Sequence, residues 1–388
     1  MLESMAPGPG DVLDLIRHGR ATTRGDVLEA TGLSRMTISQ RLDTLLAAGM
    51  IVEGPTDEAT RGRRPRGLSF NTSQSNVLVV VLDTTHARIA VTDLGGAVLA
   101  EDSIDVPVSA GPSEVLDRVV LTMGAVLGKQ GLAADDLCGL GLSLPGPVDP
   151  VSGRPSQPPM LPGWDAYPVG EHLESALPGV PVLTANDADA AAMGEYAAGY
   201  AHVESLCLVK VSTGIGAGIV IGGRSYSGFD GGAGDIGHVR VSPRSEVRCQ
   251  CGMQGCLAVV ASGRAVAAEL RMLGFEATSG REVRGLLQTG EPEAARLTQT
   301  AGKRIGEVMA SMVSLLNPEV VLVGGDLASA PLLAGMRETL YRLALPRATR
   351  HMALQLGSLG DDAAVAGMTR LVVDQEFSPA TVNARLRA

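Results

Sequence analysis

The feature that most constrains this chain is a short segment that carries one histidine and three cysteines. His238 is followed by ten residues and then by Cys249, Cys251 and Cys256, in the spacing C-x-C-x4-C. Three thiolates and one imidazole make a complete tetrahedral ligand set for zinc, and a site with no open position is structural, not hydrolytic. Glycines between the last two cysteines let the backbone turn sharply around a metal. We therefore predict a structural Zn²⁺ held by these four residues.

The other two cysteines, Cys138 and Cys207, lie in apolar runs and are predicted to be core residues. Five cysteines, three of them assigned to a metal, suit a reducing compartment. The first residues lack a basic start followed by an apolar segment, so we expect no signal peptide. No apolar run reaches the roughly 18 residues of a membrane span. These features predict a cytoplasmic protein with no membrane partner.

The net charge of −10 argues at first against a nucleic-acid partner, but this charge is unevenly distributed. Residues 1–75 carry nine arginines and nine acidic residues, so the rest of the chain carries the whole excess of negative charge. Arg61, Arg63, Arg64 and Arg66 are crowded into six positions. DNA responds to such a local basic cluster more than to a distant acidic surface.

Residues 1–75 follow the pattern of a winged helix-turn-helix. A short amphipathic helix over residues 11–17 precedes a second helix capped by Thr23, and Gly32 ends that second helix. Ser34 then caps a third helix with one apolar and one polar face. Two short strands follow, joined by the arginine-rich tip.

The polar face of the third helix is suited to base edges in the major groove, and arginines on a wing suit phosphates or a narrow minor groove. A three-helix bundle with a solvated polar face and a solvated basic loop is the alternative interpretation. The predicted DNA contacts are Ser34, Arg35, Met36, Thr37, Ser39, Gln40 and Arg41 of the helix and Arg61, Arg63, Arg64 and Arg66 of the wing.

After residue 76, apolar strand-like runs alternate with long amphipathic helices, which indicates an α/β body. Short motifs, some of them rich in glycine, occur there in a fixed order. They are LPGPV at 144–148, ANDA at 185–188, STGIGAG at 212–218, GAGDIGH at 232–238, the CxCGxxGCL segment at 249–257 and LVGG at 322–325.

This ordered set resembles the ROK family (repressors, open reading frames and sugar kinases) over roughly residues 76–388. The resemblance implies a two-lobed body with the actin-like ATPase fold and a ligand in the cleft between the lobes. With the N-terminal pattern, it predicts a winged helix-turn-helix domain over residues 1–75. A ROK domain with a zinc site at 238–256 would follow over residues 76–388.

The resemblance also implies a carbohydrate or sugar-derived effector. Asn186 and Asp187 match the pair that holds the sugar in the family, and in its kinases the carboxylate is also the general base. One ring nitrogen of His238 would bind zinc while the other faces the ligand. Asp235 and Ala258 stand where the family has glutamates, which leaves open a different sugar or none. The predicted effector-binding residues are Pro145, Gly146, Asn186, Asp187, Asp235 and His238.

Family kinases open the body with an Asp-x-Gly-Gly-Thr turn, whose glycines let backbone amides approach the nucleotide phosphates. Here Thr84, Thr85 and His86 follow Asp83, and both glycines are absent. We therefore predict no enzymatic activity. The favoured function is a DNA-binding regulator, most simply a repressor, that binds a double-stranded operator as a homodimer or homotetramer. The alternatives are an ATP-dependent sugar kinase and a regulator that answers to a protein partner with no sugar ligand.

Overall fold

The structure is a computed structural model that describes residues 7–55, 66–241 and 247–387. Its N-terminal part is a winged helix-turn-helix, as the sequence predicts. Thr23 accepts a hydrogen bond from the Asp26 backbone amide at 3.2 Å, and Gly32 ends the second helix in the left-handed region with φ of 66°. The elements are α1 (Pro9–Arg17), α2 (Arg24–Thr31), α3 (Arg35–Ala47), β1 (Ile51–Pro55) and β2 (Arg66–Phe70), with β1 antiparallel to β2.

The first lobe of the body is built on a five-stranded sheet with the strand order β5-β4-β3-β6-β7. Strands β3, β4 and β5 form an antiparallel meander, and β6 and β7 add to it in parallel. The elements are β3 (Asn76–Leu82), β4 (His86–Asp93), β5 (Val98–Asp105), α4 (Pro112–Gln130), β6 (Leu137–Leu144), α5 (Val169–Ala176), β7 (Val182–Asn186) and α6 (Asp187–Glu195).

The second lobe repeats this arrangement in the order β10-β9-β8-β11-β12. Again three antiparallel strands are followed by two parallel ones. The strands are β8 (Ser205–Val211), β9 (Ile215–Ile221), β10 (Arg224–Ser225), β11 (Val320–Gly324) and β12 (Ala353–Leu356). Its helices are α7 (Leu257–Ala261), α8 (Gly263–Met272), α9 (Gly280–Gln288), α10 (Pro292–Leu316), α11 (Ala330–Leu343) and α12 (Pro346–Thr349). After β12 come α13 (Ala363–Glu376), which packs on β3 and β6 of the first lobe, and α14 (Pro379–Arg385).

The two lobes are therefore duplicates, which places the turn after β3 opposite the equivalent turn after β8. The helices α6 and α13, which follow the last strand of each sheet, pack against each other at backbone distance. A Cβ atom on Gly194 would lie 2.0 Å from the Ala363 carbonyl oxygen, and one on Gly367 would lie 1.7 Å from the Ala190 carbonyl oxygen. No side chain fits between them, so the two helices pack in direct backbone contact.

The winged helix shares a hydrophobic core with the last helices of the chain. One cluster of buried residues joins Leu13 and Leu42 of the N-terminal helices to Val372 and Phe377 at the end of α13. The Gly10 amide donates a hydrogen bond to the Asn383 side chain at 2.8 Å. The N-terminal unit is thus packed directly on α13 and α14.

Candidate functional site

The six residues predicted to bind an effector lie around one cavity between the lobes, with a volume of about 80 Å³. The ends of β6 and β7 supply one side of this cavity, and the loop before His238 supplies another. Residues not predicted from the sequence also line it, including Asp83, Thr84, Met160, Lys210 and Thr213. The mixture of carboxylates, one ammonium group, hydroxyls and an imidazole offers both donors and acceptors to a polar ligand.

Asn186 serves mainly to shape this cavity. Its Oδ1 accepts hydrogen bonds from the Ala188 amide at 2.8 Å and the Asp189 amide at 3.2 Å, which caps α6. Its Nδ2 donates to the Gly146 carbonyl at 2.8 Å. Because both ends of the amide are engaged, Asn186 fixes the start of α6 against the loop after β6 and leaves Asp187 to face the cavity.

Asp187 forms an ion pair with Lys210, whose ammonium group donates a hydrogen bond to Asp187 Oδ2. Lys210 Nζ also lies 3.9 Å from Asp83 Oδ2. Burial would lower the pKa of Lys210, but the two carboxylates outweigh it and raise the pKa above its ordinary value. Burial likewise opposes ionisation of Asp83, yet Lys210 and hydrogen bonds from Thr84 hold its pKa below the ordinary value.

The turn after β3 is closed on itself. The Thr84 amide and hydroxyl donate to Asp83 Oδ1 at 2.6 Å and 3.0 Å. The Thr84 and Thr213 hydroxyls lie 3.1 Å apart and share a hydrogen bond, which joins the turn after β3 to the turn after β8. The Asp83 carboxylate is thereby occupied by its own neighbours and by the second lobe.

A second and larger cavity of about 750 Å³ lies on the other side of these residues. Its rim carries an ion-pair network centred on the two acidic residues just before α13. Arg284 donates to Asp361 Oδ2 at 2.9 Å and to Asp326 Oδ1 at 2.7 Å. Arg88 of the first lobe pairs with Asp362 at 2.7 Å. The network therefore ties α9 of the second lobe and β4 of the first lobe to the start of α13.

The predicted metal ligands do converge. One ligand atom from each of His238, Cys249, Cys251 and Cys256 lies within 4.8 Å of the other three. The Sγ atoms of Cys251 and Cys256 are 3.6 Å apart, and His238 Nδ1 is 3.5 Å from Cys249 Sγ. These separations suit four ligands on a tetrahedral ion with metal–sulfur bonds of about 2.3 Å. His238 also lines the effector cavity, so the cluster and the cavity share one imidazole.

The exposed part of the predicted recognition helix is narrower than the sequence suggested. Met36 is 82 % exposed, and Ser34, Arg35 and Gln40 are also exposed. Ser34 caps the helix, since its hydroxyl accepts a hydrogen bond from the Thr37 amide at 3.2 Å.

Three further predicted contacts of this helix are half-buried. Within the described residues, the half-buried Arg41 has a buried Nη1 atom with no hydrogen-bond partner. The half-buried Ser39 accepts a long hydrogen bond from Arg24, and Thr37 shares a hydrogen bond with the Ser34 hydroxyl.

The predicted wing contacts stay predictions. Arg61, Arg63 and Arg64 lie outside the described residues, and Arg66 opens β2 without a described side chain.

Other expectations can be compared directly with the structure. Cys207 is buried and Cys138 is half-buried, and burial raises the pKa of their thiols to about 12 and about 11, respectively. Trp164 is completely buried and donates from its indole nitrogen to the Val108 carbonyl at 3.0 Å. Both patterns belong to core residues, as predicted for the two cysteines.

Sequence reasoning missed Lys210, and a signal for it existed. It is the charged residue of an otherwise apolar strand, SLCLVKV, and a lysine inside such a strand is buried only when it is paired. What the strand could not reveal is the partner, because Asp187 and Asp83 belong to the other lobe.

Comparison with known proteins agrees with this geometry. Residues 79–375 match the model of the ROK family, and the chain belongs to that family. It is 25 % identical over 384 residues to the xylose repressor of Caldicellulosiruptor bescii, covering 95 % of each chain.

Among solved structures, a ROK family transcriptional regulator described as a homologue of E. coli MLC has a TM-score of 0.80 and 27 % identity, covering 97 % of this chain and 98 % of its own. A ROK glucokinase from Streptomyces griseus, solved with glucose and AMPPNP, has a TM-score of 0.67 and 26 % identity, covering 76 % of this chain and 99 % of its own. The likeness to the two proteins named as a repressor and a regulator extends over nearly the whole chain.

In the described part of the chain, none of the helices combines the length and apolar character that crossing a membrane would require.

Proposed function

We propose that this protein is a transcriptional regulator that binds an operator through its N-terminal winged helix and responds to a sugar-type effector in the cleft between the lobes. The observation that carries the proposal is the joining of two parts in one packed molecule. A winged helix with an exposed polar recognition face is built directly onto a ROK body whose cleft holds a polar cavity. The relative that is named a xylose repressor, matched over nearly its whole length, supports a repressor acting on a sugar signal.

Residues 1–75 are the proposed DNA-binding unit and residues 76–388 the sensing body. Arg35, Met36 and Gln40 are exposed at the start of α3, which suits contacts to base edges. The wing arginines are proposed to contact phosphates or the minor groove. Because operators of such proteins have two half-sites, we propose a homodimer or homotetramer that acts where the operator lies, in the cytoplasm.

Packing provides a route from the cleft to the DNA-binding unit. The helix α6 begins at Asp187 in the effector cavity and packs at backbone distance on α13, which carries the winged helix at its far end. A ligand that changes the lobe separation would move α6 and α13 together, since the two helices pack in direct backbone contact. This movement would change the spacing of the two recognition helices in a dimer, and the changed spacing would alter the affinity for the operator.

The metal proposed for the Cys3His cluster is Zn²⁺ in a structural role. The donor set of three thiolates and one imidazole fits zinc better than a hard cation. When bound, zinc would fix the loop after His238 and the tautomer of that imidazole. The proposal includes no zinc-dependent chemistry.

A sugar kinase is the second candidate, favoured by the larger cavity and by the kinase-like body. Two features count against it. Thr84, Thr85 and His86 stand where the family kinases have the turn whose amides approach phosphates, and the Asp187 carboxylate is paired with Lys210. Positioning supplies most of the rate in phosphoryl transfer, so losing both features should abolish it.

The proposed function is tested by selecting bound fragments from genomic DNA and then repeating the binding with candidate sugars. We expect the full chain to enrich a small set of sites with two-fold symmetry, and a sugar to change the affinity for them. A variant without residues 1–75 that keeps its fold should bind none of these sites. If it binds them as well as the full chain does, the proposal is wrong.

A further inference from the structure

We propose that Lys210 determines which ligands the cleft accepts: by engaging Asp187 and Asp83 across the lobes, it makes the cavity select an uncharged, hydroxyl-rich ligand and reject the phosphate ester of the same compound. This inference rests on the proposed function only in taking the cavity as the effector site. The proposed role of Lys210 requires neither a cofactor nor a metal.

The position of Lys210 is the first step. It lies on β8 of the second lobe, whereas Asp187 begins α6 and Asp83 follows β3 in the first lobe. The side chains of Lys210, Asp187 and Asp83 are only 16 %, 14 % and 17 % exposed. A partly buried ion pair of this kind holds its partners closely, because breaking it would leave buried charges unpaired. Lys210 therefore links the lobes at the floor of the cleft.

The charged side chains that line the cavity also favour an uncharged ligand. An ammonium group beside two carboxylates is already neutralised, so it is not available to a ligand phosphate. The cavity is also lined by Asp235, and its charged side chains therefore carry a net charge of −2 when His238 is neutral. A dianionic phosphate ester would be repelled by this excess of negative charge. An uncharged ligand would instead donate hydroxyl hydrogen bonds to the carboxylates.

The smaller cavity also leaves little space for a phosphate group. Asp83, Lys210 and Ser212 line both the cavity of about 80 Å³ and the larger one of about 750 Å³, so they form the boundary between the two. The Thr84–Thr213 hydrogen bond joins the lobes beside them. A phosphate group would have to share the smaller cavity with the carboxylates or displace the Lys210 bridge. Either choice penalises the phosphorylated ligand.

The test measures binding to the full-length protein by calorimetry. The probes are D-glucose, D-xylose and N-acetyl-D-glucosamine, each paired with its phosphate ester. We expect at least one uncharged sugar to bind and its ester to bind at least tenfold more weakly. The Asp83→Asn variant removes one carboxylate, so the preference for the uncharged ligand should narrow by roughly tenfold, as expected for one nearby charge. Asp102→Asn is the matched control: this carboxylate on β5 pairs with Lys129 outside the cavity, so its loss should not change the ratio.

Two variants test Lys210 itself. Lys210→Met should weaken binding of the uncharged sugar at least tenfold, and Lys210→Arg, which keeps the charge, should restore part of it. A phosphate ester that binds the natural protein as tightly as its parent sugar overturns the inference, as does the absence of millimolar binding by every uncharged probe. An Asp83→Asn ratio equal to that of the natural protein overturns it as well. Operator binding measured on the same samples tests the proposed function separately.

Discussion

Phe70 at the end of β2 and Phe377 just after α13 meet edge to face, with ring centroids 5.2 Å apart and ring planes inclined by 80°. One ring belongs to the wing and the other to the end of the body. Arg17 of α1 pairs with Asp374 nearby, and Arg370 lies 2.9 Å from a ring nitrogen of His18. The orientation of the winged-helix unit is thus set by aromatic packing with charged contacts beside it.

Replacing Phe377 with alanine should loosen this junction. Phe377 is 1 % exposed, and truncating a buried phenylalanine costs about 3–5 kcal/mol. We expect a lower midpoint in thermal unfolding and weaker operator binding at temperatures where the variant stays folded. Phe229→Ala is the control, since Phe229 is 99 % exposed and should change neither quantity. Unchanged unfolding of the Phe377 variant would show that the junction contributes nothing.

DNA binding should depend on salt through the wing and on sequence through α3. Replacing Arg63 and Arg64 together with alanine should weaken binding to all sequences and reduce the salt dependence, because phosphate contacts release counterions. Replacing Gln40 should instead change which sequences are preferred. Arg347→Ala, on the exposed surface of the body, is the control for general charge loss. Fluorescence anisotropy at several salt concentrations measures all four proteins.

Metal analysis should find about one zinc per chain. Cys251→Ser should lose the metal, because it removes one of four thiolate or imidazole ligands. The loop after His238 should then become more accessible to protease, and operator binding should fall through misfolding. Cys138→Ser lies outside the cluster and should keep the metal. A folded and DNA-binding sample without zinc would contradict the assignment.

Asp189 should give the protein a measurable pH dependence. Burial is the main cause that raises its pKa from 3.8 to about 7, and one of its oxygens has no hydrogen-bond partner in the described part of the chain. The folded state therefore favours the protonated form, so this contribution to stability is complete below pH 3.8 and is lost as the pH rises through about 7.

The Asp189→Asn variant removes this titration. Relative to the natural protein, its free energy of unfolding should rise between pH 5 and pH 8 by an amount on the order of a few kcal/mol. Asp135→Asn, at an exposed position, should leave the pH profile of the natural protein unchanged. Denaturant unfolding at both pH values makes the comparison, and parallel profiles for Asp189→Asn and the natural protein would refute the expectation.

Phosphorylation of sugars should be absent. In a coupled assay of ADP release with common hexoses and N-acetylhexosamines, we expect no turnover above background, because Asp187 is paired with Lys210 and the turn after β3 offers no glycines to a nucleotide. The kinase interpretation would replace ours if turnover appeared and then disappeared in Asp187→Asn.

Local sequence patterns were sufficient to predict much of the fold. The alternation of apolar runs and amphipathic helices located the predicted strands, and Thr23, Gly32 and Ser34 set helix ends because capping depends only on neighbouring residues. The cysteine spacing predicted a cluster for the same reason. The family motifs identified the six predicted effector-binding residues, which lie around one cavity.

What the sequence could not give depends on contacts between distant segments. Lys210 contacts Asp187 because the two lobes face each other across the cleft. No local sequence pattern indicates a contact between segments of different lobes. Phe377 meets Phe70 across most of the chain, although both are simply apolar residues at the end of an element. The half-burial of Arg41, whose contact with DNA stays a prediction, likewise comes from tertiary packing around α3.

The contact between α1 and α14 has a consequence for biosynthesis. The residues of α1 leave the ribosome before the body is made, whereas Asn383, which accepts a hydrogen bond from the Gly10 amide, follows 373 residues later. At about 5–20 residues per second, the nascent winged helix waits on the order of 20–70 s for the surface that completes its core. A chain released early would present operator-reading residues on an unsupported unit. The cell would therefore obtain a competent winged-helix unit only after α13 and α14 have been synthesised.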